Sequence, residues 1–211
     1  MDKYFTPELH RTLIKGILSI VTTILRDAGI KYWIDGGTLL GAVRDGDIIL
    51  WDDDADIGVH YKDFMVELPK LYEIIKRSAI TCNDIEYKLF VEIHSDMVKV
   101  FIPNLWVQTP TRIIGTPTID IFPWRKSGDK VELFSARQRK QFKNCFYLKS
   151  ELFPLKEHKF GTYTLLGANE PMGYLNRYYG SDCMATGKIE VRAPTEQCAT
   201  QKADEMIEFK L

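Results

Sequence analysis

The sequence predicts an α/β fold, a mixed twisted sheet with helices packed on it. Three observations lead there. Apolar residues at Leu13, Ile14, Ile17, Leu18, Val21 and Leu25 recur at i, i+3, i+4 and i+7, the spacing of an amphipathic helix. Residues 54–60 alternate acidic and apolar side chains, the period of a strand. From 86 to 124 the chain is rich in β-branched and aromatic residues punctuated by turns. The 211 residues are 45% hydrophobic and 27% charged, an ordinary globular composition. A chain of this size buries roughly 70% of its unfolded surface without disulfides or structural metal. A single domain over residues 1–211 is expected.

Each element has its own signals. Thr6-Pro7-Glu8 reads as an N-cap, a proline at the first helical position and an acid in the first turn, and Gly29 ends that helix. Tyr32-Trp33-Ile34 is a short strand stopped by Gly36-Gly37, and residues 38–44 form a brief helix directly after those glycines. Asp45-Gly46-Asp47 is a turn. Residues 61–77 read as a second long helix, apolar at Phe64, Met65, Leu68, Leu71, Tyr72 and Ile75, with Pro69 inside it either arguing against the helix or implying a kink. Strands are expected over 87–93, 97–102, 105–109 and 118–122. Residues 135–142 are helical and basic, 159–166 a strand or hairpin arm, and 170–179 a helix stopped by Gly180. A short helix is expected at 203–209.

Charge and cysteine usage exclude several classes. Lys plus Arg number 28 and Asp plus Glu 29, a net charge of −1, which argues against a general nucleic-acid binder. Cys82, Cys145, Cys183 and Cys198 are scattered, with no C-x-x-C pair, so a zinc ribbon is not expected and a reducing compartment fits. The apolar stretch 17–25 falls short of the ~20 residues a membrane span needs. Residues 1–10 lack the apolar region of a signal peptide, and the expectation is a cytoplasmic protein. Residues 125–159 carry a net charge of +6. Arg137, Arg139, Lys140 and Lys143 share one expected helix, so a solvated face explains that charge better than a basic wall opposite the acids. His60, His94 and His158 show no ligand spacing.

The chemistry concentrates in residues 33–60. They hold seven carboxylates: Asp35, Asp45, Asp47, Asp52, Asp53, Asp54 and Asp56. Asp45 and Asp47 read as a solvated loop. Asp54 and Asp56, two apart on a strand, point to the same face, where a pair of carboxylates calls for a bridging cation. Oxygen ligands select Mg²⁺ or Mn²⁺. Gly36-Gly37-Thr38, between a strand and a helix, offers backbone N–H groups and a hydroxyl to a phosphate, and Arg44 reaches the same anion. Asp120, one acid within an apolar strand, is the candidate third metal carboxylate. Trp51 and Trp124 flank these acids and are candidates for stacking a base or caging a quaternary ammonium.

Gly-Gly-Thr-Leu-Leu-Gly-Ala-Val-Arg at 36–44, followed by Trp51-Asp52-Asp53-Asp54-Ala55-Asp56-Ile57-Gly58, strongly resembles the LicD family. That family includes bacterial phosphorylcholine transferases and the fukutin-like proteins. The resemblance covers about residues 28–185, with Phe153-Pro154-Leu155 and the Tyr174-to-Gly180 helix matching its closing segment. Leu50 stands where the family usually has proline, and Ala55 where it often has Ile or Val. The resemblance implies the DNA polymerase β-like palm of the nucleotidyltransferase superfamily, with family-specific additions. It also implies transfer of a phosphorylated alcohol, phosphocholine or a polyol phosphate, from a CDP-linked donor to a glycan hydroxyl, releasing CMP. In that reading Asp54 and Asp56 hold the metal, Asp120 helps activate the acceptor, and Gly36, Gly37, Thr38 and Arg44 hold donor phosphate. Two other readings remain open here: transfer of a nucleotide to a small molecule or protein, and a catalytically silent nucleotide- or glycan-binding module.

Overall fold

The structure, a computed structural model, describes residues 2–109, 111–191 and 205–211. Helix α1 spans Glu8–Asp27 and buries Leu13, Ile14, Ile17, Leu18, Val21 and Leu25, the stripe its periodicity demanded. Its N-cap is Pro7 rather than Thr6. The Thr6 hydroxyl is buried and accepts from Arg112 Nη2 at 2.8 Å, so a tertiary contact has claimed the expected cap.

The central sheet has seven strands. Tyr32–Asp35 pairs antiparallel with Asp54–His60, which pairs in parallel with the long Thr118–Ser127 strand. The other edge of Thr118–Ser127 carries two antiparallel partners in turn, Val98–Phe101 and Lys130–Leu133. Phe90–Ile93 and Phe146–Leu148 lie beyond these. One parallel pair within an otherwise antiparallel sheet makes it mixed, as expected.

Alternation sorts the two faces. Ala55, Ile57, Val59, Ile119, Ile121, Val98 and Val100 are buried on one face, against α1 and α3 (Tyr61–Lys76). Pro69 lies inside α3. The other face is covered at one end by the Lys156–Phe160/Tyr163–Gly167 hairpin and by the Pro171–Tyr179 helix. There Trp33, Trp124, Tyr147 and Tyr174 form an aromatic core. Gly58 permits it, because a Cβ at that position would stand 2.3 Å from the Trp33 ring. At the opposite end this face bears the acids.

Four expectations change. The expected 38–44 helix begins earlier, as α2 at Gly36–Arg44. The expected 87–93 strand breaks at Leu89, whose side chain turns into the core and whose N–H bonds Ser78 O. The basic stretch gives α4 (Ala136–Gln141), capped by Ser135. In place of a 203–209 helix, Glu205–Lys210 is a strand paired with Thr186–Val191, where Ile189 is buried opposite Ile207. Residues 203 and 204 lie outside the described residues. No helix among the described residues is long and apolar enough to cross a membrane.

Candidate active site

The parallel register sets Asp56 opposite Asp120 and Asp54 opposite Thr118. Carboxylate oxygens of Asp54, Asp56 and Asp120 all lie within 4.8 Å of one another, and Asp52, Asp53 and Asp54 form a second such group. Lys99, opposite Asp120 in the neighbouring strand, donates to both of its oxygens at 2.8 Å. One ammonium therefore faces three acids.

The electrostatics register the shortage. Burial, then repulsion from Asp52, Asp53 and Asp120, holds Asp54 well above the usual carboxylate range, and Lys99 offsets little of it. Asp56 is raised by burial and by Asp54, Asp120, Asp52 and Asp35. Burial and Asp53 push Asp52 up to about 7, against Arg112 and Arg44. Burial also raises Asp120, opposed by Lys99 and His94. Converging, largely buried oxygen ligands that outnumber their counter-charge fit a divalent cation.

The glycine turn serves this cluster directly. Gly36 has φ +52°, and a Cβ there would meet Asp56 Oδ2 at 2.6 Å; one on Gly37 would meet Asp52 Oδ2 at 2.6 Å. The Thr38 hydroxyl is buried and accepts the Asp56 backbone N–H at 2.7 Å. Gly36, Gly37 and Thr38 thus let two carboxylates close onto the start of α2. Below them Asp35 is buried and accepts from Tyr147 Oη at 2.6 Å.

A cavity of about 360 Å³ opens from the acids, and Gly37, Arg44, Trp51, Arg112, Tyr179 and Lys188 line it. Arg44 sits where expected, but its guanidinium already pairs with Asp45 at 2.8 Å and donates to the carbonyls of Cys183 and Thr186. Trp51 is held in the wall: Nε1 donates to Lys188 O at 2.9 Å, Arg44 lies 5.3 Å from its ring, and Phe209 meets it edge-on. Trp124 does not reach the site. It is fully buried between Trp33 and Tyr147, because its neighbours in sequence place it on the covered end of the sheet.

Lys99, Arg112 and Lys188 carry no site signal in the sequence, and Tyr179 stands there only as part of the closing-segment helix. Lys99 alternates with Val98 and Val100, which marks it only as facing away from the core. Arg112 and Lys188 carry no local signal, since pairing far along the chain brings them in.

Residues 29–167 match the family profile described as the LicD/FKTN/FKRP nucleotidyltransferase domain. An uncharacterized protein of Rickettsia typhi is 35% identical over 182 residues, 85% of this chain and 49% of that one. The human ribitol 5-phosphate transferase FKRP is 40% identical over 62 residues, 29% of this chain and 12% of that one. The solution structure of the antibiotic-resistance factor ANT(2'')-Ia shares 12% identity over 82% of this chain and 83% of that one, with a TM-score of 0.49. The chain spans about half the length of the rickettsial relatives it matches. It belongs to the LicD/FKTN/FKRP family and carries its nucleotidyltransferase domain.

Proposed function

We propose that this LicD-family domain is a divalent-metal-dependent phosphotransferase that moves a phosphorylated polyol from a CDP-linked donor to a glycan hydroxyl, releasing CMP. The observation that carries the reading is the convergence of Asp54, Asp56 and Asp120 within 4.8 Å beside a cavity. Asp54, Asp56 and Asp120 would hold Mg²⁺ or Mn²⁺, which would supply positive charge toward the donor diphosphate. Gly36, Gly37 and Thr38 make room for Asp56 and Asp52 at the start of α2, where backbone N–H groups would face the phosphates. Arg44 and Lys188 add positive charge to the cavity wall. Asp120 takes the acceptor proton at a carboxylate oxygen. Attack falls on the phosphorus bearing the alcohol.

A polyol suits the cavity better than choline. Among the described residues its aromatic lining is Trp51 and Tyr179, and Arg44 already stands over Trp51. The Arg44 guanidinium lies over the Trp51 ring, the surface that a quaternary ammonium would need. FKRP's description as a ribitol 5-phosphate transferase supports the same choice.

Thermal shift with Mn²⁺ tests the reading. CDP-ribitol or CDP-glycerol is expected to raise Tm more than CDP-choline, CTP or ATP. Binding at about a hundredfold excess over Kd adds about 2.7 kcal/mol, several degrees for this size. The mass of the product then shows whether CMP leaves. A preference for ATP with no response to any cytidine compound overturns the proposal in favour of nucleotidyl transfer.

A further inference from the structure

Asp120 has neighbours on both sides in the sheet. Toward one lie Asp56 and the metal-binding acids. Toward the other, Lys99 stands opposite Asp120 and Phe101 opposite Thr118. One strand further out, Glu92 stands opposite Lys99 and Phe90 opposite Phe101. Paired residues share a face of a sheet. Two rows therefore run across the strands, Asp56–Asp120–Lys99–Glu92 and Asp54–Thr118–Phe101–Phe90. Ile119, Val98 and Val100 on the reverse face are buried beneath the helices, whereas the outer part of this face meets solvent. Phe90 is 49% exposed, and the side chains of Glu92 and Lys99 are 56% and 34% exposed.

We infer that this open face is the acceptor subsite and that its occupant is a sugar ring; the inference rests on the phosphotransferase reading for the direction of transfer. The Phe90 and Phe101 ring centroids are 6.2 Å apart, giving an aromatic platform wider than a single ring. Phe101 is the diagonal neighbour of Asp120, about 8 Å away between Cα atoms. A pyranose lying on Phe101 spans that gap with one hydroxyl. Its apolar C–H face meets the aromatic rings, while Lys99 donates to the hydroxyl rim and Glu92 accepts from it. An acyl chain would strand these two charges against apolar surface. Continuity with Asp120 is what makes the platform an acceptor subsite rather than a distant patch.

The step balances. The acceptor hydroxyl oxygen forms the new O–P bond, and the phosphoanhydride O–P bond breaks with its electron pair leaving on CMP. The proton passes to Asp120. The arriving hydroxyl replaces one of the two hydrogen bonds that Lys99 makes to Asp120.

Saturation-transfer NMR with methyl glycosides of galactose, glucose, N-acetylglucosamine and N-acetylgalactosamine tests the platform without a donor. At least one glycoside is expected to receive saturation on the protons of its C–H face. Phe90→Ala and Phe101→Ala are each expected to weaken that binding about tenfold, and Phe90→Trp to retain it. With donor present, Glu92→Gln is expected to raise KM for the glycoside acceptor with kcat little changed. Melting curves show which variants are folded, and the exposed Phe90 keeps the test open if Phe101→Ala is not. No saturation of any glycoside, or saturation that survives Phe90→Ala, overturns the inference. Saturation lost in Phe90→Ala, with no CDP-alcohol shifting Tm, keeps the sugar site and sinks the phosphotransferase reading instead.

Discussion

Two groups of carboxylates from the same acidic segment behave differently. Asp45 and Asp47, in the turn after α2, each have a cation. Arg44 holds Asp45 through two hydrogen bonds, and Lys15 on α1 reaches Asp47 at 3.0 Å. Asp54 and Asp56 have each other and Asp120, and Lys99 pairs with Asp120 on the far side. The density of acids in sequence is similar in the two places. What separates a solvated turn from a candidate metal site is the ratio of acids to cations at one point in space, together with burial.

The two groups of acids differ most in turnover. Asp54→Asn and Asp56→Asn are each expected to lower the rate of CMP release at least ~10²-fold, about 2.7 kcal/mol of barrier, with circular dichroism unchanged. Asp45→Asn and Asp47→Asn should stay within about twofold. Equal losses in both groups would erase the distinction.

Two glycines differ in the same way. Gly36 and Gly46 both have positive φ, +52° and +69°, but a Cβ on Gly46 meets nothing within 4 Å. Gly46→Ala should cost only the backbone term, about 1–2 kcal/mol. Gly36→Ala should cost more, because its Cβ collides with Asp56 Oδ2, and it should lose metal binding as well. Urea unfolding and Mn²⁺ titration by calorimetry measure the two effects separately.

The pH dependence of stability follows from the raised acids. Asp52 moves from 3.8 up to about 7, and Asp54 and Asp56 are also raised well above the usual range. A carboxyl raised on folding holds more protons in the native state, so its contribution to stability falls as pH rises from about 4 through its folded value. In EDTA the Tm difference between Asp56→Asn and wild type should grow by several degrees from pH 5 to pH 8. Mn²⁺ should close that gap at pH 8. A difference independent of both pH and Mn²⁺ would remove the charge-shortage argument.

The smallest effect belongs to the paired turn. Lys15→Met removes a partly exposed ion pair to Asp47 and should change unfolding free energy by less than about 1 kcal/mol, measured in urea.

Much of this was legible in the chain before folding. The α1 stripe from Leu13 to Leu25, the Asp54–His60 strand and the pairing of Asp54 with Asp56 on one face follow from periods of 3.6 and 2, which are properties of the backbone. So was Asp120, because one acid amid Ile119, Ile121 and Phe122 has to be explained. The sequence motif also marked Gly36 and Gly37, although the structure gives them a further task, making room for Asp56 and Asp52. Tertiary structure alone decided the rest. Trp51 and Trp124 look equivalent as aromatics flanking acids, yet one lines the cavity and the other is in the core. Thr6 lost its cap role to Arg112, 106 residues away. Lys99 met Asp120, and Phe101 met Thr118, through an antiparallel register that no local pattern encodes. Periodicity tells which side of a strand a residue faces, but pairing across the sheet is set by the packing of the whole core, and it is that pairing which brings the cations, the aromatic platform and the third acid to one place.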